Sequence, residues 1–142
     1  MEHKDNGSVS RWLSLTNAYK VITNELEIAM QHSAGLTLKE FYVLLFLSET
    51  PEKKLKLQQL QKMVGLSQSA MSRLVARFEA KGCGALKREI CLEDRRNIYT
   101  SITEIGEEKL NRALDVFQVT LENTLEEKDI QVGLKALLID KK

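Results

Sequence analysis

The chain has 142 residues, 43% hydrophobic and 29% charged, with 21 Lys+Arg against 20 Asp+Glu, the composition of an ordinary globular chain large enough for one hydrophobic core. No apolar run approaches the ~18 residues of a membrane helix, no signal-peptide pattern opens the chain, and two cysteines are too few for a disulfide framework. A cytoplasmic protein with no membrane partner is expected.

The near-neutral total hides an asymmetry. Residues 1–52 carry four Lys/Arg and seven Asp/Glu, and residues 102–142 carry six and nine, so each end is at −3. Residues 53–101 carry eleven basic and four acidic side chains, a charge of +7. A basic centre between acidic ends suits a nucleic-acid-binding lobe with other work at the termini.

From Ser10 to Met30, apolar residues fall at Trp12, Leu15, Tyr19, Ile22, Leu26 and Ala29, a narrow heptad-like stripe that predicts a helix seeking a partner. Thr37-Leu38-Lys39-Glu40 fits a capping box, and Phe41, Leu44 and Leu45 line the helix that follows, to near Ser48. Leu57, Leu60, Met63 and Val64 mark a short helix. Gly65 supplies a left-handed stop and Ser67 the next N-cap, opening a helix from Gln68 to Lys81 that buries Met71, Leu74, Val75 and Phe78. Gly82-Cys83-Gly84 ends it.

The period then changes to two. Leu86, Ile90 and Leu92 alternate with Lys87, Glu89 and Cys91, and Ile98, Thr100 and Ile102 alternate with Tyr99 and Ser101. Two strands joined through Glu93-Asp94-Arg95-Arg96-Asn97 make a hairpin with a charged tip. Thr103 caps a long helix striped by Ile105, Leu110, Leu114, Phe117, Leu121 and Leu125. Thr124-Leu125-Glu126-Glu127 reads as a second capping box before Ile130, Leu134, Leu137 and Leu138.

Two helices joined by a Gly-x-Ser turn and followed by a charged hairpin predict a winged helix-turn-helix, in a fold that is mainly α with a small β-hairpin wing (α+β). On the helix after Ser67, the residues Gln68, Ser69, Ser72, Arg73 and Ala76 share the face opposite the apolar one, and none is acidic. Gln suits adenine, Arg suits guanine and Ser either a base edge or a phosphate, which fits major-groove reading of double-stranded DNA. At the hairpin tip, Arg96 is expected to enter the minor groove, held extended by Asp94. Arg77, Lys87, Arg88 and Arg95 are expected to contact phosphates, which position rather than specify.

Gly65-Leu66-Ser67, Ser69-Ala70-Met71-Ser72-Arg73-Leu74-Val75, Glu79-Ala80-Lys81-Gly82, Asp94-Arg95-Arg96 and Ile102-Thr103-Glu104-Ile105-Gly106 resemble the MarR family of bacterial transcriptional regulators over about residues 10–140. The Asp-x-Arg wing, nine residues before a helix-opening Thr, is the most specific part, whereas Gly82-Cys83-Gly84 places two extra residues before the wing. The resemblance implies a homodimer whose first and last helices interlock, with Trp12, Leu15, Tyr19, Ile22, Leu114, Phe117 and Leu121 at the contact. It divides the chain into residues 1–34 for dimerisation, 35–103 for DNA binding and 104–142 again for dimerisation. It further implies repression at a pseudo-palindromic operator and a small aromatic or anionic effector, for which Trp12, Tyr19 and His32 are candidate contacts.

Two other readings remain open at this point. One is a thiol-based redox regulator using Cys83 or Cys91, although thiol-sensing relatives carry the cysteine in the first helix, where this chain has none. The other is a winged-helix protein-interaction module without DNA binding. His3 and His32 are the sole imidazoles, no Cys/His spacing suits zinc, and no nucleophile has a base in a motif, so no metal, cofactor or enzymatic activity is expected.

Overall fold

The computed structural model describes residues 7–79, 82–90 and 98–138. Helix α1 runs over Ser8–Ala34, α2 over Leu38–Glu49, α3 over Leu57–Val64 and α4 over Gln68–Phe78. Strand β1 is Lys54–Lys56, β2 is Leu86–Ile90 and β3 is Ile98–Ile102, followed by α5 at Glu104–Leu125 and α6 at Lys128–Lys135. The three strands form one antiparallel sheet in the order β1-β3-β2.

Local chemistry sets most boundaries. α1 stops where Gly35, at φ 66°, turns left-handed and its N–H and that of Leu36 return to Gln31 and Met30 carbonyls. α2 starts at the capping box: Glu40 N–H donates to Thr37 Oγ1 at 3.1 Å, and Thr37 N–H donates to Glu40 Oε1 at 2.7 Å. Thr103 opens α5 by accepting from Gly106 N–H at 3.1 Å, while its own hydroxyl donates to the Gly84 carbonyl at 2.6 Å. The cap therefore also fastens α5 to the segment leading into β2.

One core holds the lobe together. Leu26 and Met30 of α1, Phe41, Val43, Leu44 and Leu47 of α2, and Leu110 and Ala113 of α5 are buried with the apolar faces of α3 and α4. Phe41 stacks on Phe117 with ring centroids 5.1 Å apart. α5 and α6 lie against α1, and Gly133 lets α6 approach closely: a Cβ there would fall 2.7 Å from that of Ala18 and 2.9 Å from the Ser14 carbonyl.

Several expectations need correction. The sheet has a third strand, β1, whose three residues pair with β3 in the register Lys54↔Ser101, Leu55↔Thr100 and Lys56↔Tyr99. α4 ends at Phe78 rather than Lys81, because the chain turns back at once: Gly82 and Gly84 N–H both donate to the Glu79 carbonyl. A Cβ on Gly82 would overlap the Arg77 carbonyl, so the reversal is pressed against the last turn of α4. Thr124 is not a cap. It lies inside α5 with its hydroxyl donating to the Thr120 carbonyl at 2.8 Å, and Glu127 takes the N-cap position of α6. The alternation in the hairpin holds only at its base, where Leu86 and Thr100 are buried. Farther out, the cross-strand pair Ile90 and Ile98 is exposed.

Candidate nucleic-acid interface

α3, the turn Gly65-Leu66-Ser67 and α4 form the helix-turn-helix. Gly65, at φ 78°, closes α3, and its N–H and that of Leu66 return to the Gln61 carbonyl. Lys39 of α2 donates from Nζ to the Val64 carbonyl at 2.9 Å, adding a charged cap that complements the helix dipole. Ser67 accepts from Ala70 N–H at 3.1 Å and so starts α4.

α4 buries Met71, Leu74, Val75 and Phe78 as its spacing predicts. On the other side Gln68, Ser69, Arg73 and Ala76 are exposed and Ser72 is half-buried, so all five stand on the accessible face. Arg73 folds along the helix, with Nε 3.4 Å from the Ser69 carbonyl. This face is uninterrupted by carboxylates, and it can present donors and acceptors to a groove.

The expected phosphate contacts divide. Lys87 is exposed on β2. Arg77, at the end of α4, pairs through Nη2 with Glu40 Oε2 at 3.1 Å, and Arg88 of β2 pairs through Nε with Glu79 Oε1. Neither pairing is legible locally, since the partners lie on different elements, and the local pattern around Glu40 marks it only as a capping residue. Asp94, Arg95 and Arg96 of the wing tip lie outside the described residues, as do Cys91 and His3.

Cys83 is half-buried and lines a cavity of about 720 Å³ at the wing root with Glu79, Leu86, Arg88, Thr103 and Ile105. The residues expected at a dimer contact behave in two ways. Ile22, Leu114, Phe117 and Leu121 pack against the core of their own chain, whereas Trp12 and Tyr19 are 57% and 66% exposed and leave an apolar strip uncovered on α1. Leu15 is half-buried.

The proposed effector contacts do not gather within one chain. Trp12 and His32 stand twenty residues apart on the same helix, or about 30 Å at the usual rise. His32 lines a separate cleft with Glu25, Asn123 and Glu127, whose carboxylates disfavour an anion. Among the described residues, no His, Cys, Asp and Glu side chains cluster as metal ligands would, and no helix is long and apolar enough to cross a membrane.

The three-stranded sheet, the Gly-x-Ser turn and the exposed polar face of α4 define a winged helix-turn-helix. Residues 34–96 match the family model described as MarR family. The chain is also similar to solved structures. Sco3205 of Streptomyces coelicolor, a MarR family transcriptional regulator in complex with DNA, is 23% identical with a TM-score of 0.79, over 97% of this chain and 87% of that one. AbsC, a MarR family regulator of the same organism, is 22% identical with a TM-score of 0.79, over 97% and 93%. NadR in complex with 4-hydroxyphenylacetate is 18% identical with a TM-score of 0.67, over 97% and 94%. No curated protein sequence gives a match.

Proposed function

We propose that the chain acts as a homodimer that represses transcription from a pseudo-palindromic operator and is released by a small aromatic effector. The observation that carries the reading is the acid-free exposed face of α4 (Gln68, Ser69, Ser72, Arg73) beside a hairpin whose sequence continues into Asp94-Arg95-Arg96. Two such faces, related by a dimer axis, would enter successive major grooves about one helical turn apart. In this reading Arg96 enters the minor groove, Asp94 holds it, and Lys87 and Arg95 meet phosphates.

The division of labour follows the charge. Residues 35–103 read DNA, while 1–34 and 104–142 dimerise, with the uncovered Trp12 and Tyr19 as contact residues on α1. Sco3205, in complex with DNA, supports the first part, and the bound 4-hydroxyphenylacetate of NadR supports the kind of effector. The test is Arg96→Ala. Affinity for a selected duplex falls by about 1–3 kcal/mol with the thermal unfolding curve unchanged. Wild-type affinity in that variant removes the wing from the mechanism.

A further inference from the structure

Glu40 stands three residues into the capping box of α2, yet its side chain is only 9% exposed. Oε1 satisfies the box by accepting from Thr37 N–H at 2.7 Å. The box makes no demand on Oε2, and that oxygen reaches across to Arg77 Nη2 at 3.1 Å. The adjoining N–H, that of Leu38, donates to Glu27 of α1 at 3.0 Å, so carboxylates from two helices anchor the start of α2. The Glu40 carboxylate is thus fixed before Arg77 meets it.

Arg77 lies along α4 in the row that contains Ala70 and Arg73, and these residues with Ala76 line one shallow groove. A guanidinium at the end of that row, tied to a buried anchor on α2, sets how far α4 is turned about its own axis. Swinging Arg77 away to a phosphate would strand a buried carboxylate, which costs more than an exposed ionic contact returns.

We propose that Glu40 is a positioning residue for sequence reading: it holds Arg77 as a strut, and the strut aims Gln68, Ser69, Ser72 and Arg73 at the bases. This replaces the phosphate role expected of Arg77, and it rests on the reading that α4 binds DNA. Glu40→Gln keeps an oxygen for Thr37 N–H and removes the charge. Arg77→Met keeps the stem and removes the guanidinium but leaves the Glu40 carboxylate unpaired, whereas the double variant removes both charges and so retains the fold even where a single variant does not.

The experiment titrates both variants and the double variant, over a series of salt concentrations, against two duplexes. One is the tightest duplex that the wild-type protein selects from a randomised pool; the other is random-sequence DNA of equal length. Expected are wild-type affinity and salt slope on random DNA, a loss of about tenfold in preference for the selected duplex, and no further loss in the double variant. The proposal is overturned if Glu40→Gln binds both duplexes more tightly with a steeper slope, if Arg77→Met lowers the slope by about one, or if preference is unchanged. A wild-type protein that prefers no duplex would instead remove the DNA-binding premise.

Discussion

Arg88 of β2 and Glu79 at the C-terminal cap of α4 form an ion pair that joins the root of the wing to the end of that helix. Their side chains are 40% and 32% exposed, so solvent screens the pair and it contributes at most about 1 kcal/mol to stability. That sets it apart from the Glu40–Arg77 pair, whose carboxylate is only 9% exposed. Freeing an arginine from a partly exposed carboxylate costs little, whereas freeing it from a buried one strands that charge.

Glu79→Gln therefore releases Arg88 for DNA. The expected outcome is an unfolding temperature near that of the wild type, tighter binding to random duplex and a salt slope steeper by about one. A salt titration by fluorescence anisotropy reads this directly, and an unchanged affinity with an unchanged slope would show that Glu79 does not hold Arg88 back from a phosphate.

Gly106 is the position where α5 leaves the wing root. A Cβ there would meet the Ala85 carbonyl oxygen at 2.4 Å and Ile102 Cγ1 at 2.6 Å. Helix propensity alone favours Gly106→Ala by about 1 kcal/mol. The clash involves backbone, which cannot give way as a flexible side chain can, so overpacking at about 1–3 kcal/mol prevails. Net destabilisation in urea unfolding is the expected result; net stabilisation would mean that α5 and the Ala85 carbonyl can move apart to admit a methyl group.

Tyr42 of α2 is half-buried, with its ring 6.2 Å from that of Phe46. Burial, then the charges of Tyr19 and Glu27, raise its hydroxyl above the ordinary value of 10.0. The unfolded chain thus loses this proton first, and between the two values the native state holds more protons. Stability from this group is complete below pH ~10 and declines as pH rises through the folded value. Denaturant midpoints measured across alkaline pH should fall more steeply for the wild type than for Tyr42→Phe; identical profiles would assign the decline to other groups.

The parts of the fold legible in the sequence are those closed by short-range bonds. Thr37, Ser67 and Thr103 each cap a helix through an N–H three residues ahead, and Gly65 stops α3 by its own backbone conformation. Strand β1 was invisible because Lys54-Leu55-Lys56 has no period of its own and is held by β3, which lies more than forty residues later. Thr124 misled for a related reason: a threonine before two glutamates has the pattern of a cap, but its hydroxyl turned back to Thr120 within a helix that α1 keeps intact.

The candidate site divides along the same line. The face of α4 was legible from helical spacing, whereas the ion pairs of Arg77 and Arg88 depend on how α2, α4 and β2 come together. The resemblance assigns Trp12, Tyr19 and His32 to one effector site, while α1 holds Trp12 and His32 twenty residues apart within one chain. Charge distribution was the more reliable guide, since the basic centre from 53 to 101 contains α3, α4 and the wing strands.

The central claim is that this lobe reads DNA sequence as a dimer, and selection of bound duplexes from a randomised pool by the wild-type protein, followed by salt titration of the enriched site, tests it most directly. The account predicts enrichment of an inverted repeat with half-sites about one helical turn apart, bound with an affinity that weakens by several decades from low to moderate salt. A pool that emerges without a repeat, or binding indifferent to salt, would contradict it.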